Sequence, residues 1–265
     1  NIHTLKVSES LSKFVNEELL KDTGISADKF WLGFEKTVNE LEPKNRELIN
    51  FREILQKKID DWYIKNKSNC KIAVMADLKN INLPKKGIDW QGADLSGANL
   101  QNANLSGANL RNAKLQNANL QGANLQGANL EGANLSRSNL IDTDLTEANL
   151  TNAKCYLIKA ARSVLKEATL YKTNFRRAGL NETDLRKANL EKATLSEAWL
   201  NHANLSNANL HKAVCLKTNF ESANLENANL NSSSLIFANF EGANVKGAKF
   251  RKSNRDGVRG LPDPF

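Results

Sequence analysis

Histidine and cysteine are the side chains that most readily do acid–base, nucleophilic or metal chemistry near neutral pH. This chain has three of each: His3, His202 and His211, and Cys70, Cys155 and Cys215. No two of them are neighbours, no Cys-x-x-Cys pair occurs, and no acid pair, nucleophile–base pair or ligand cluster stands out. The histidines therefore read as surface residues, and no catalytic residue, cofactor site or metal site is expected. Cysteines that are odd in number and widely spaced argue against a disulfide frame and for a reducing compartment, so the cytoplasm is expected.

The formal charge is +8 over 265 residues, with 16 basic and 14 acidic groups in residues 1–90 and 21 and 15 in residues 91–265. Most of the excess thus sits on the second part of the chain. No run approaches the length of about 18 apolar residues that a membrane helix needs. The N-terminus, Asn1-Ile2-His3-Thr4, has no basic stretch leading into an apolar run, so no export signal is expected. Without an initial Met, the chain reads as trimmed or partial.

From Gln91 the chain divides into fives: QGADL, SGANL, QNANL, and onward without a slip to KGAKF at 246–250, 32 units in one register. The fifth position is Leu 24 times, Phe four times, Cys twice, and Val and Ala once each. The third position is Ala 24 times, Ser or Thr seven times, and Ile once. Residues two apart on an extended backbone point the same way, so the small third residue and the large fifth both face inward. A single such unit cannot bury that face, and stability must come from stacked neighbours.

This A(N/D)LXX pattern resembles the pentapeptide-repeat family, whose members form right-handed quadrilateral β-helices. The resemblance covers residues 91–250. It implies a mainly β solenoid of about eight coils, 20 residues per coil, roughly 38 Å long at ~4.8 Å per strand. The inner corner then needs Ala, Ser or Thr, because a larger group meets the coil above. Tyr156-Leu157-Ile158-Lys159-Ala160 swaps the sizes of its two inward residues, and 156–165 reads as a bulged side, with a short helical excursion as the alternative. Ala76-Asp77-Leu78 and Ile81-Asn82-Leu83 look like an imperfect first turn within a transition over 67–90. Residues 251–265 read as a tail that closes the last coil through Val258, Leu261 and Phe265.

Residues 1–66 follow another rule. Ser8 caps a predicted helix running to Lys21 with Gly24 as its stop, and Ser26 caps a second carrying Phe30, Trp31 and Phe34. Pro43 suits the first turn of a third, where Leu48, Phe51, Leu55, Ile59 and Trp62 recur at helical spacing. Phe14-Val15, Glu18, Thr23-Gly24-Ile25, Phe30-Trp31, Phe34, Leu41-x-Pro43-x-Asn45-Arg46, Arg52 and Ile59-Asp60-x-Trp62 resemble the N-terminal helical segment of malate synthase, isoform G. The resemblance spans roughly residues 5–66 and carries no catalysis with it, since that family's acid–base and magnesium-binding residues sit in a barrel and pentapeptides follow here instead. An α-helical cap on the first coil, packing on Trp90 or Leu95, is the expected role; a fused remnant is the other.

Stacking every 20 residues also places charges. Residues 154–192 hold ten Lys or Arg and four acids. Arg162 falls under Glu182, Lys187 over Glu167 and Arg177 under Glu197, which predicts three ion pairs. Lys172, Lys192 and Lys212 share one column, Lys166 lies under Arg186 on the neighbouring side, and Arg176 is nearby. These six cations are the candidate surface for an acidic protein or a phosphate backbone. Leu216, Ile236 and Phe237 form an outward apolar set, covered by the tail or else by a partner or second copy.

The function expected is a non-enzymatic protein-interaction or scaffold surface with a protein partner. A DNA-mimicking topoisomerase-binding protein, a role of some relatives, needs an acidic rod and meets the wrong charge. A nucleic-acid-binding solenoid fits the sign but brings no recognised motif and little aromatic interleaving. Malate synthase activity has only residues 5–66 behind it.

Overall fold

The computed structural model describes residues 89–261 together with Ser26. The helices expected between residues 8 and 65, the imperfect first turn near 76–83 and the proposed cap lie outside the described residues. The chain separates into two units, Asn1–Asn69 and Cys70–Phe265. The second unit holds all of the described residues except Ser26.

Each pentapeptide is one short extended step and one tight turn. In the first coil the Ala98 amide donates to the Leu95 carbonyl at 3.1 Å, closing a turn whose second central residue, Gly97, has φ +72°. The remaining bonds run between coils. Leu95 N donates to Lys114 O at 2.7 Å, Gly97 N to Gln116 O at 2.8 Å, and Lys114 N back to Ala93 O at 2.8 Å. Parallel bridges join residues 20 apart at every fourth position, from Asp89↔Asn109 to Asn239↔Arg259. Four pentapeptides therefore make one coil. We number its sides from the unit at 91–95 (side 1) through 96–100 (side 2), 101–105 (side 3) and 106–110 (side 4), each recurring every 20 residues.

A type II turn needs positive φ at its second central residue, which Gly and Asn tolerate and larger residues resist. Here that position also holds Lys172, Arg177, Glu197, Leu157 and Phe237, all with φ between 55° and 60°. The inter-coil bonds offset this: the amide at each such position is tied to the next coil, so the ladder holds the backbone where the side chain would not choose it.

Third- and fifth-position side chains fill the axis. Leu95 through Leu135 are essentially inaccessible, as are the Ala residues between them. Phe220 and Phe240, one coil apart in the same column, stack at 4.8 Å between ring centroids. That is the strand spacing of the solenoid itself. Inner hydroxyls are satisfied by carbonyls: Thr143, Thr173 and Thr218 donate one coil down, to Leu120, Leu150 and Leu195, at 2.7–2.8 Å. Ser163 donates to Ala160 at 2.7 Å.

Two expectations are corrected. The ladder passes through 156–165 without a bulge or an excursion, by the bridges Asn139↔Lys159↔Gly179 and Asp144↔Val164↔Asp184. Ile158 and Ala160 are both buried, so volume added at the corner is offset by volume removed at the centre. The cost is local: among the described residues, Ile158 alone of the third-position amides from Ala93 to Val258 lacks the turn bond. Residues 251–260, expected as a closing tail, instead continue the ladder as two more sides through Ser234↔Asn254 and Asn239↔Arg259. Val258 and Leu261 pack on the core as partly buried residues.

Leu125→Ala should cost about 2–5 kcal/mol, read as a shift in the urea midpoint, because rigid coils on both sides prevent collapse of the cavity. Cys155 and Cys215 are buried and free. Burial pushes the Cys215 thiol up to about 12, from 9.0 in the open, and raises Cys155 as well. In a Cys70→Ser background, both should resist a thiol reagent at pH 8 until the chain is unfolded. The unfolded thiols lose protons first, so their burial makes stability fall as pH rises above 9.0.

Candidate interaction surface

The outer columns carry whatever function the core does not. Most fourth positions hold Asn or Asp, whose side chain caps the turn that follows. Its Oδ1 accepts the amide two residues on, as Asn124 does from Gln126 at 3.0 Å. Where the residue is Asn, its side-chain amide can also reach the rung below, as Asn139 does to Asn119 at 3.2 Å. Side 2 builds this ladder through Asn99, Asn119 and Asn139, and again through Asn219 and Asn239 at 3.2 Å. Between them the rungs are Lys159, Gly179 and Trp199. The amides of Ala161, Asn181 and Asn201 consequently receive no side-chain acceptor among the described residues, whereas those of Glu221 and Glu241 do. A hydrogen bond of this kind is worth about 0.5–1.5 kcal/mol, so three missing rungs are a real loss. Asn181 Oδ1, two residues past Gly179, is buried without a partner among the described residues.

The interruption opens a cavity of about 400 Å³ on side 2, with Lys159 and Trp199 at its ends, Gly179 between them, and Leu157, Arg177 and Glu197 around it. Trp199 is 62% exposed and Leu157 37% exposed. A Cβ built on Gly179 would meet only the Ile158 carbonyl, at 3.8 Å, an ordinary contact, so the column is open immediately around this position. Glu197 is held by two guanidiniums, Arg176 at 2.8 Å and Arg177 at 2.7 Å. The hydrogen bonds from Arg176 and then Arg177 hold its carboxyl below the usual range.

The six candidate cations fall on three sides: Lys172, Lys192 and Lys212 on side 1, Lys166 and Arg186 on side 4, Arg176 on side 2. Four of them are less free than the stacking arithmetic implies. Arg176 is paired with Glu197, Arg186 with Asp184 at 2.6 Å, Lys192 with Glu191 at 3.6 Å and Lys166 with Glu167 at 3.8 Å. The arithmetic considers only residues 20 apart, whereas Glu191, Glu167 and Asp184 lie one or two residues from their cations and Glu197 lies diagonally, 21 residues from Arg176. Of the three predicted pairs, Lys187–Glu167 and Arg177–Glu197 form, at 3.2 and 2.7 Å. Arg162 instead reaches down to Asp142, with bonds of 2.8 and 3.0 Å. Lys172 and Lys212 make no ion pair among the described residues. Lys172 and Lys192 flank the Tyr171 ring, 5.2 and 5.1 Å from its centroid, and Lys192 Nζ donates to the Tyr171 hydroxyl at 2.9 Å.

Leu216 and Ile236 are half-buried on side 2, while Phe237 is 58% exposed. The ring of Phe237 lies over Gly257 of the next coil, so the last half-coil covers part of this set. His202 on side 3 and His211 on side 1 do not meet. Among the described residues no three His, Cys, Asp or Glu side chains converge on a metal position. Sequence reasoning tallied the third and fifth positions and stacked the outer charges, but left the fourth position untallied. A tally of the fourth would have singled out Gly179 and Trp199.

The malate synthase N-terminal domain matches residues 10–67. There the chain is 39% identical to malate synthase G of Halalkalibacterium halodurans over 67 residues, 25% of this chain and 9% of that protein. It is 42% identical to malate synthase G of Corynebacterium glutamicum over 62 residues, 23% and 8% respectively. The chain thus spans less than a tenth of these relatives' length. Among solved structures, HetL, a pentapeptide-repeat protein involved in heterocyst differentiation regulation from the cyanobacterium Nostoc, is 29% identical. The match covers 75% of this chain and 96% of that one, with a TM-score of 0.45. QnrB1, a plasmid-mediated fluoroquinolone resistance protein, is 16% identical over 72% of this chain and 87% of its own, with a TM-score of 0.41. Superpositions at these scores add nothing to the repeat pattern. The pattern itself is decisive: the pentapeptide-repeat model matches residues 86–117, 113–152, 161–196, 188–227 and 215–251, and the chain belongs to the pentapeptide-repeat family, whose fold is the right-handed β-helix.

Proposed function

We propose that the chain is a non-enzymatic protein-interaction or scaffold surface whose partner is acidic. The observation that carries this reading is the cation column of side 1, Lys172–Lys192–Lys212, at one coil per step, in which Lys192 is paired with Glu191 while Lys172 and Lys212 make no ion pair among the described residues. Like charges about 4.8 Å apart repel even in salt, where screening acts over about 8–10 Å. A partner's carboxylates would relieve that repulsion. The solenoid core is filled along its axis, so recognition falls to the outer columns.

The DNA-mimic reading requires the opposite sign of charge. A nucleic-acid strand would want a row of stacking platforms, and Trp199 is the one strongly exposed aromatic of side 2 besides Phe237 at its far end. The malate-synthase-like segment is an accessory unit of the same chain, since the reacting groups of that enzyme belong to its barrel. A cytoplasmic location is part of the same proposal, supported by the two unpaired buried thiols.

Poly-L-glutamate binding, followed against salt concentration, tests the reading. The triple variant Lys172→Glu, Lys192→Glu, Lys212→Glu should fold normally, each exposed change moving stability by no more than about 0.5 kcal/mol. It should bind the polyanion at least about tenfold more weakly at low salt, with a flatter salt dependence. Unchanged binding would show the column to be solvated surface.

A further inference from the structure

We propose that side 2 receives one large apolar side chain from an acidic protein segment, inserted at Gly179 between Lys159 and Trp199 as a substitute for the missing rung. This deepens the interaction-surface reading and rests on it. Several departures from the repeat meet at this place on side 2. The Asn ladder stops for the three rungs Lys159, Gly179 and Trp199 and resumes at Asn219. Gly179 does not need to be glycine for its backbone, because it is absent from the positive-φ positions, and it leaves open space where its neighbours carry side chains. Leu157 holds a left-handed conformation at φ 55°, costly for a branched apolar residue, with its side chain part-exposed at the cavity. The missing turn bond at Ile158 belongs to the same unit. Residues 153–160 are also where the match to the repeat pattern breaks.

Two rungs of the column, Lys159 and Trp199, stand two coils apart, roughly 9.6 Å at the strand spacing. That distance leaves room for one intervening side chain of ring thickness or branched-aliphatic width. The indole and the aliphatic wall of Leu157 and Ile158 offer it apolar contact. The four side-2 units from 156–160 to 216–220 carry Lys159, Arg176, Arg177 and Lys217 against the single carboxylate of Glu197. Because Arg176 and Arg177 already share Glu197, the rim keeps a net positive charge, which complements acids flanking the inserted residue. A nucleic-acid strand fits less well, since its bases would find one platform.

The test uses the full ¹⁵N-labelled chain and short Glu/Ser/Gly peptides that differ only in a central Leu, Phe or Ala, with oligo-dT as a separate probe. The Trp199 indole resonance is assigned by its loss in Trp199→Asn. It should shift with the Leu and Phe peptides, which should bind about tenfold tighter than the Ala peptide. Gly179→Leu fills the gap from within and should erase that preference while leaving the weaker, salt-sensitive binding of the Ala peptide. Should Gly179→Leu fail to fold, Trp199→Asn, which restores an Asn rung, makes the same comparison. Lys172→Glu, Lys192→Glu, Lys212→Glu should weaken all three peptides alike and keep the preference. Equal binding of the Leu and Ala peptides, or a preference that survives both side-2 variants, would overturn the insertion site and leave the acidic-partner reading standing. Binding of oligo-dT with the same Gly179 dependence would also overturn it, in favour of nucleic acid. No binding of any acidic peptide at low salt would overturn both readings.

Discussion

Everything in this solenoid depends on keeping one coil directly over the next at the spacing of a parallel strand pair. The 4.8 Å stacking of Phe220 on Phe240 shows that spacing inside the core, and the bridges 20 residues apart show it in the backbone. Three of the four backbone bonds made by each pentapeptide run between coils. An inner side chain that demanded more height would break those bonds above and below at once. That is why the third position is small, why inner Thr and Ser are tolerated only with their hydroxyls on carbonyls, and why Ile158 comes with Ala160. The same constraint holds Lys, Glu and Leu at positive φ in the turns, where the ladder decides the backbone and the side chain adapts to it.

A core so fully specified leaves function to the outside. The outer columns have few packing duties, and most of their Asn side chains are spent on capping amides and linking rungs. Where that duty lapses, stability is given up locally, and the lapse on side 2 brings Trp199, Leu157 and Lys159 together around the space at Gly179. Sites that break a local rule without an evident structural return are where function is to be sought. The cation column of side 1 borders this side, so charge and apolar contact lie within reach of one partner.

Much of this was legible in the residues. The register of the repeat fixes the inner and outer positions from Gln91 onward, and the 20-residue period places Lys187 against Glu167 and Arg177 against Glu197. What was not legible has physical causes. Ion pairs also form across corners, which the vertical arithmetic omits, so Arg186 turned to Asp184, and Arg162, with an acid one coil away in each direction, took Asp142 rather than Glu182. The backbone ladder outweighs an unfavourable inner residue, so no bulge arises at Ile158. Two further pentapeptides, RKSNR and DGVRG, lack the Leu that marks a unit, yet their turns and bridges persist because the coil beneath templates them.

Recognition, on this reading, belongs to particular sides of an otherwise uniform column. Site-specific photo-crosslinking in the native cell puts that to the proof, with a photoreactive residue placed in turn at Lys212, Lys217, Ser222 and Asn227, one on each side of a single coil. A discrete protein adduct is expected from Lys212 and Lys217, on sides 1 and 2, and none from Ser222 and Asn227. Adducts of equal yield from all four positions, or from sides 3 and 4 alone, would show that the partner does not choose these sides.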